Sequence, residues 1–127
     1  MSQSLGFVEL LTPSGEIKPV RYDIFVSALF KLQSFDTMQL HAALGVCGEA
    51  GELADGIKKH VIYGKPLDRE NVIEELGDLR FYIQAVMNLY QISEQTVLQY
   101  NARKLSKRYV ELAYSDEAAI ARKDKES

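Results

Sequence analysis

Apolar residues return every three or four positions along most of this chain, and the breaks between those runs define four helices. Tyr22 to Leu32 is the first, short and apolar. A second runs from Asp36 to about Ile62. Asp36-Thr37-Met38-Gln39 reads as a capping box at its start, and Tyr63-Gly64-Lys65-Pro66 breaks it. Asp68 caps a third helix reaching about Tyr90, with Val72, Leu76, Leu79, Ile83, Val86 and Tyr90 on its predicted inner face. Ser93 caps a fourth that reaches about Tyr109.

The flanks of this helical stretch read differently. Phe7-Val8-Glu9-Leu10-Leu11 and Glu16-Ile17-Lys18-Pro19-Val20 enclose Thr12-Pro13-Ser14-Gly15, which is turn chemistry, so residues 1–21 are expected to form a hairpin-like extension. Pro19 must then sit at a sheet edge. The helical domain is placed at 22–114. Residues 115–127 are mostly charged and are expected to fray, or to fold only on assembly.

Composition narrows the class. A chain of 127 residues suits one domain with a thin core, for which self-association is expected. The hydrophobic fraction of 46% and charged fraction of 26% are ordinary for a folded soluble protein. A net charge of −3 argues against a nucleic-acid partner. Cys47 is the single cysteine, which fits a reducing compartment. With no membrane-length apolar run and no signal-peptide pattern, the expected location is the cytoplasm.

The chemistry lies in two motifs. Glu49-Ala50-Gly51-Glu52 and Glu75-Leu76-Gly77-Asp78 each hold two carboxylates three residues apart, which are neighbours on one helix face. A short break joins the two helices, so they should lie antiparallel and bring both pairs together. Four converging carboxylates repel unless a cation lies between them, and oxygen-only donors suit Mg²⁺ or Mn²⁺. Read singly, either motif is more often a solvated helix face.

Glycine shifts that balance. Gly45, Gly48, Gly51 and Gly56 fall within the second helix and Gly77 within the third, each at a cost of about 1 kcal/mol relative to Ala. Close approach of a ligand or another backbone is the expected reason. On a helical wheel, Leu40, Ala43, Leu44, Cys47, Ala50, Ala54, Ile57 and Val61 share one side. His41, Gly45, Gly48, Glu49, Glu52, Asp55, Gly56 and Lys59 share the other. Cys47 therefore reads as core, not as a nucleophile. His41 lies about 16 Å along the helix from Glu52, too far to share a metal, and reads as structural or at a ligand's edge. No P-loop, Glu-x-x-His pair or Gly-x-Ser-x-Gly elbow is present. Asn101, Lys104 and Arg108 form one stripe on the fourth helix, either a solvated basic face or a set of phosphate contacts.

Three segments together resemble the MazG-type nucleotide pyrophosphohydrolases of the all-α NTP pyrophosphatase superfamily. They are Gly48-Glu49-Ala50-Gly51-Glu52-Leu53, Glu74-Glu75-Leu76-Gly77-Asp78-Leu79 and Asn101-Ala102-Arg103-Lys104-Leu105-Ser106-Lys107-Arg108-Tyr109. The resemblance implies an all-α, four-helix core that assembles as a homodimer or homotetramer. It implies Glu49, Glu52, Glu75 and Asp78 as metal ligands and catalytic groups, with Mg²⁺ as the cofactor and Mn²⁺ able to substitute. It implies Asn101 and Lys104 as phosphate contacts, joined by Arg108 and Lys59. The expected activity is hydrolysis of an NTP or dNTP to the monophosphate and pyrophosphate, with a purine deoxynucleotide such as dGTP as the base reading. The alternatives are a dUTPase- or dCTPase-like enzyme, a housecleaning enzyme for damaged nucleotides, or a helical interaction module with no catalytic role.

Overall fold

A computed structural model describes residues 6–110 and 114–122. Two short strands open it, β1 (Phe7–Leu11) and β2 (Ile17–Arg21), followed by the helices α1 (Tyr22–Leu29), α2 (Phe35–Val61), α3 (Arg69–Tyr90), α4 (Glu94–Arg108) and α5 (Asp116–Ala121). The all-α class with an N-terminal hairpin is therefore what the chain adopts. The strands pair antiparallel with Val8 opposite Val20 and Glu9 opposite Pro19. In a two-stranded ribbon every residue is at an edge, so Pro19 is tolerated. The Gly15 N–H donates to the Thr12 carbonyl at 2.9 Å, and Gly15 takes a φ of 90°, a conformation that favours glycine.

The helix starts follow local chemistry, with one correction. Asp68 and Ser93 cap α3 and α4 as expected, accepting from the backbone N–H groups of Asn71 and Thr96. At α2 the cap is Ser34, which accepts from the Thr37 N–H at 3.2 Å, and not Asp36. The Asp36 carboxylate instead accepts from the Gln39 side chain. α1 stops at Leu29, three residues before the expected end at Leu32, because Phe30 turns extended and stacks its ring on His41 with centroids 4.7 Å apart. Within the expected tail, Ser115 caps a short helix over Asp116–Ala121. Residues 123–127 lie outside the described residues.

The chain divides into two compact units, Met1–Gln91 and Ile92–Ser127. In the first, α2 and α3 form a long antiparallel hairpin with α1 packed on α3. The core sits where the three helices meet. Val26, Ala42 and Ala85 are buried there, with Tyr22, Phe30, Phe81, Val86 and Leu89 packed around them. A polar relay ties α1 to α3: buried Gln84 donates to Asn88 at 2.8 Å, and the Asn88 amide donates to the Asp23 carbonyl and to Ser27. Each buried group in that relay has a partner, so it fixes the docking angle without a desolvation penalty. In the second unit α4 has no buried residue.

Two expected faces are corrected. On α3, Val72, Leu79 and Val86 are half-buried, but Leu76, Ile83 and Tyr90 are exposed. The α3 positions that share the half-buried face with Val72 and Leu79 include Glu75 and Tyr82. On α2, the side chosen as apolar core is exposed, Cys47 included. The face turned to α3 carries Ala42, Gly45, Val46, Glu49, Leu53 and Gly56, all buried or half-buried. Ala42, Val46 and Leu53 belong to neither expected side, and Gly48, Glu52 and Lys59 of the polar side are exposed, so the packed face falls between the two.

Candidate functional site

Glu49 lies midway along α2 and Glu75 in the second turn of α3, and the antiparallel hairpin brings them face to face. One carboxylate oxygen from each of Glu49, Glu75 and Asp78 lies within 4.8 Å of the others. Glu49 and Glu75 are half-buried between the helices, and Asp78 is exposed at the rim. Glu52 stands one turn further along α2, exposed and outside this triple, though its charge reaches Glu75.

Glu75 is the electrostatic centre. Its carboxyl is pushed above the ordinary glutamate range, first by loss of solvent and then by the adjoining Glu49 carboxylate. The charges of Glu52 and Asp78 add to the effect. Its Oε2 atom is buried without a hydrogen-bond partner. A buried orphan acceptor facing like charges is costly, and a cation removes both penalties at once. The donor set, three carboxylates converging from two rigid helices, therefore fits a hard divalent ion of the Mg²⁺ or Mn²⁺ kind. The lysines of α2 do not supply the missing charge, since Lys58 and Lys59 pair with Asp55 at 3.9 and 3.1 Å.

The glycines divide into two groups. A Cβ at Gly45 would collide with the ring of Tyr82, and one at Gly56 would meet the Asn71 amide at 3.1 Å. Helix packing accounts for those two. At Gly48, Gly51 and Gly77 a Cβ would meet nothing within 4 Å, so no contact inside the protomer explains them. Asn71 and Tyr82, which sequence reasoning did not select, flank the carboxylates on α3. The signal was there: Asn71, Glu75, Asp78 and Tyr82 follow one another at four-, three- and four-residue spacing, the period of a single helix face. His41 stacks on Phe30 and meets Tyr82 edge-on, centroids 5.8 Å apart, so it holds α1 against the hairpin.

Asn101, Lys104 and Arg108 all lie on α4, in the second unit. Asn101 and Lys104 are exposed and Arg108 is half-buried. Lys59 remains on α2 in its pair with Asp55. A cavity of about 390 Å³ lies apart from the carboxylates, lined by Val26, Phe30, Leu32, Met38, Ala85 and Leu89, among others. Two of its polar groups, Ser27 and Asn88, already bond each other.

An all-α fold with acidic side chains of two motifs facing each other across a helix hairpin narrows the class to helical proteins whose carboxylates could share a cation. Comparison with known families makes the class specific. The model of the MazG nucleotide pyrophosphohydrolase domain matches residues 37–112, and the chain belongs to that family. That match takes in both acidic motifs and the whole of α4. The chain is also similar to the "Gene 37 protein" of Mycobacterium phage L5, 33% identical over 73 residues, which cover 54% of this chain and 63% of that protein. No solved structure matches the chain. No helix among the described residues is long and apolar enough to cross a membrane.

Proposed function

We propose that this chain is a divalent-cation-dependent nucleoside triphosphate pyrophosphohydrolase, releasing the monophosphate and pyrophosphate from an NTP or dNTP. The observation that carries this reading is the triple of Glu49, Glu75 and Asp78, with the buried, unpartnered Glu75 Oε2 at its centre. A module that only bound a basic partner would have no use for an acceptor its partner cannot reach.

Glu49, Glu75 and Asp78 would hold the cation. When bound, Mg²⁺ or Mn²⁺ supplies charge neutralisation at the phosphates and acidifies a coordinated water. The chain's own groups do the rest. Glu49 and Glu75 are fixed by the α2–α3 packing and enforce one geometry. Glu52, outside the triple, would be the base that accepts the proton of the water attacking the α-phosphorus, as pyrophosphate leaves. By the resemblance alone, Asn101, Lys104 and Arg108 on α4 contact phosphate oxygens, and Lys59 can join them by exchanging Asp55 for phosphate. The reading extends to a cytoplasmic homodimer or homotetramer with a purine deoxynucleotide such as dGTP as substrate.

Incubation with a panel of normal and modified triphosphates in Mg²⁺ tests this directly. The active substrate should yield monophosphate and pyrophosphate in equal amounts. Accumulation of diphosphate and orthophosphate would overturn the reaction assignment. Activity restricted to a pyrimidine or an oxidised base would move the substrate and keep the reaction.

A further inference from the structure

The acidic row on the α2–α3 hairpin does not end at its carboxylates. At about 100° per residue, Asn71 lies between Glu75 and Asp78 around α3, and one turn before Glu75 along it. Gly56 lies between Glu49 and Glu52 around α2, and one turn after Glu52. The two positions face each other: the Asn71 side-chain nitrogen is 3.1 Å from where a Cβ at Gly56 would stand. A side-chain amide therefore extends the row toward the α2–α3 turn, laid against bare backbone.

That amide has nothing to bond within the described chain. Asn71 is half-buried. Its backbone N–H donates to Asp68 at 3.0 Å, but its side chain has no hydrogen-bond partner among the described residues. The amide does not serve the carboxylate one turn along, since Glu75 Oε2 has no partner either. Packing against Gly56 would be met better by an apolar side chain, because a half-buried amide without partners keeps a desolvation cost that Leu or Ala does not. The opposite end of the row is closed differently: ring carbons of Tyr82 fill the space over Gly45. Of the two ends, the one at Asn71 carries the unbonded N–H donor. Lys59, three residues past Gly56 and on the Glu52 flank of α2, adds a cation at that same end.

We propose that the Asn71 amide binds the pyrophosphate half of the triphosphate, so that the phosphate chain runs from the carboxylates toward the α2–α3 turn. This rests on the proposed function and fixes the direction in which the substrate lies along that site. One helical turn, about 6 Å, separates Asn71 from Glu75. A phosphate held at the Glu49, Glu75 and Asp78 triple therefore leaves the next phosphates of the chain within reach of the amide. The direction matters for the leaving group. As the oxygen of water bonds to the α-phosphorus, the bond from that phosphorus to the α–β bridging oxygen breaks, and its electron pair departs on pyrophosphate. The Asn71 N–H donates a hydrogen bond to that growing charge and transfers no proton. Asparagine suits the place. It offers a donor without adding an anion to a row that already repels, and without a cation that would pair with the carboxylates themselves.

Equilibrium binding of the two products separates the halves of the substrate. The probes are inorganic pyrophosphate and a nucleoside monophosphate, dGMP or dUMP, whichever the wild-type chain binds, at constant free Mg²⁺. Two variants are compared with wild type: Asn71→Ala, and Asn71→Leu, which keeps the bulk without the donor. In both, the Kd for pyrophosphate should rise at least tenfold, as for the loss of a hydrogen bond to a charged group. The Kd for the monophosphate should stay within about twofold, and so should Mn²⁺ affinity measured without nucleotide. An amide that only packs would not distinguish the two products. Equal weakening of both, or unchanged pyrophosphate binding in either folded variant, would overturn the proposal. So would a wild-type chain that binds no pyrophosphate. Loss of Mn²⁺ affinity would overturn it too, by making Asn71 a metal ligand. Because binding is read without turnover, a wild-type chain that hydrolyses no triphosphate fails the enzymatic reading, while the Asn71 comparison stands or falls by itself.

Discussion

The ring of Tyr82 on α3 fills the space that a side chain at Gly45 on α2 would need. The pair sets how closely the two helices approach, one turn from where Glu49 must reach Glu75. Gly45→Ala should therefore destabilise the fold by about 1–3 kcal/mol, the usual range for overpacking. In a Tyr82→Ala background the sign should reverse, because the same change then brings only the helix preference of Ala over Gly, about 1 kcal/mol. Urea unfolding of the four chains in this cycle measures the coupling. Additive effects would show that the ring does not set the spacing.

Gly48 is the opposite case. It adjoins Glu49 on a helix, and a Cβ there would meet nothing within 4 Å. Gly48→Ala should stabilise the metal-free chain by up to about 1 kcal/mol. If that space admits substrate, the same variant should lose turnover or raise KM. A variant that is more stable and fully active would remove Gly48 from the site.

How much of this was legible beforehand depends on the range of the interaction involved. The helices, the hairpin turn and the caps at Asp68 and Ser93 follow from residues within four positions of one another. The pairing of Glu49 with Glu75 also followed, because a short break between two long helices leaves an antiparallel hairpin as the simple arrangement. What did not follow was which apolar face meets α3. The α2 line from Leu40 to Val61 is the more hydrophobic one, yet the packed face is the one with Ala42, Gly45 and Glu49. Small residues were chosen there to admit Tyr82 and Asn71, which are far away in sequence. Glycines read as a single ligand signal proved to have two causes, and only the partner helix separates them.

The raised pKa of Glu75 makes a statement about stability. Because its folded-state value lies above the unfolded one, folding favours the protonated form. That contribution is fully present below the ordinary glutamate range and is lost as pH rises through the raised value. Glu75→Gln removes the titration, and its amide N–H can donate to the Glu49 carboxylate. In a chelator, the melting temperature of wild type relative to Glu75→Gln should therefore fall as pH is raised from about 4 toward neutrality. Scanning calorimetry across that window checks the sign. A gap that does not move with pH would show that Glu75 is not under like-charge pressure.

Lys104→Ala removes an exposed cation from α4 and none of the carboxylates. If Lys104 contacts phosphate, the variant should raise KM at least several-fold while Mn²⁺ binding stays unchanged. Lys59→Ala should have a smaller effect, since Lys59 is already engaged by Asp55. Steady-state kinetics alongside a metal titration would show both. Unaltered kinetics in Lys104→Ala would return the α4 stripe to an ordinary solvated face.

Glu52 and Glu75 separate the holding of metal from turnover. Glu75 belongs to the close triple and carries the buried orphan oxygen. Glu52 lies outside that triple, and its charge helps raise the Glu75 carboxyl. Metal that binds the native site alone should raise the melting temperature of wild type with the logarithm of its concentration. Glu75→Gln should abolish most of that rise and also abolish hydrolysis. Glu52→Gln should abolish hydrolysis by removing the proton acceptor, yet keep the greater part of the rise. Both metal-free variants should melt no lower than metal-free wild type, because each removes a repulsive charge and breaks no ion pair among the described residues. Melting curves at several Mg²⁺ and Mn²⁺ concentrations, run beside product assays, separate the two roles. Equal loss of the metal effect in both variants would make Glu52 a ligand of the same rank as Glu75. A lowered metal-free melting temperature with activity spared would mean that these carboxylates hold the fold together, and the case for an enzyme at this site would fail.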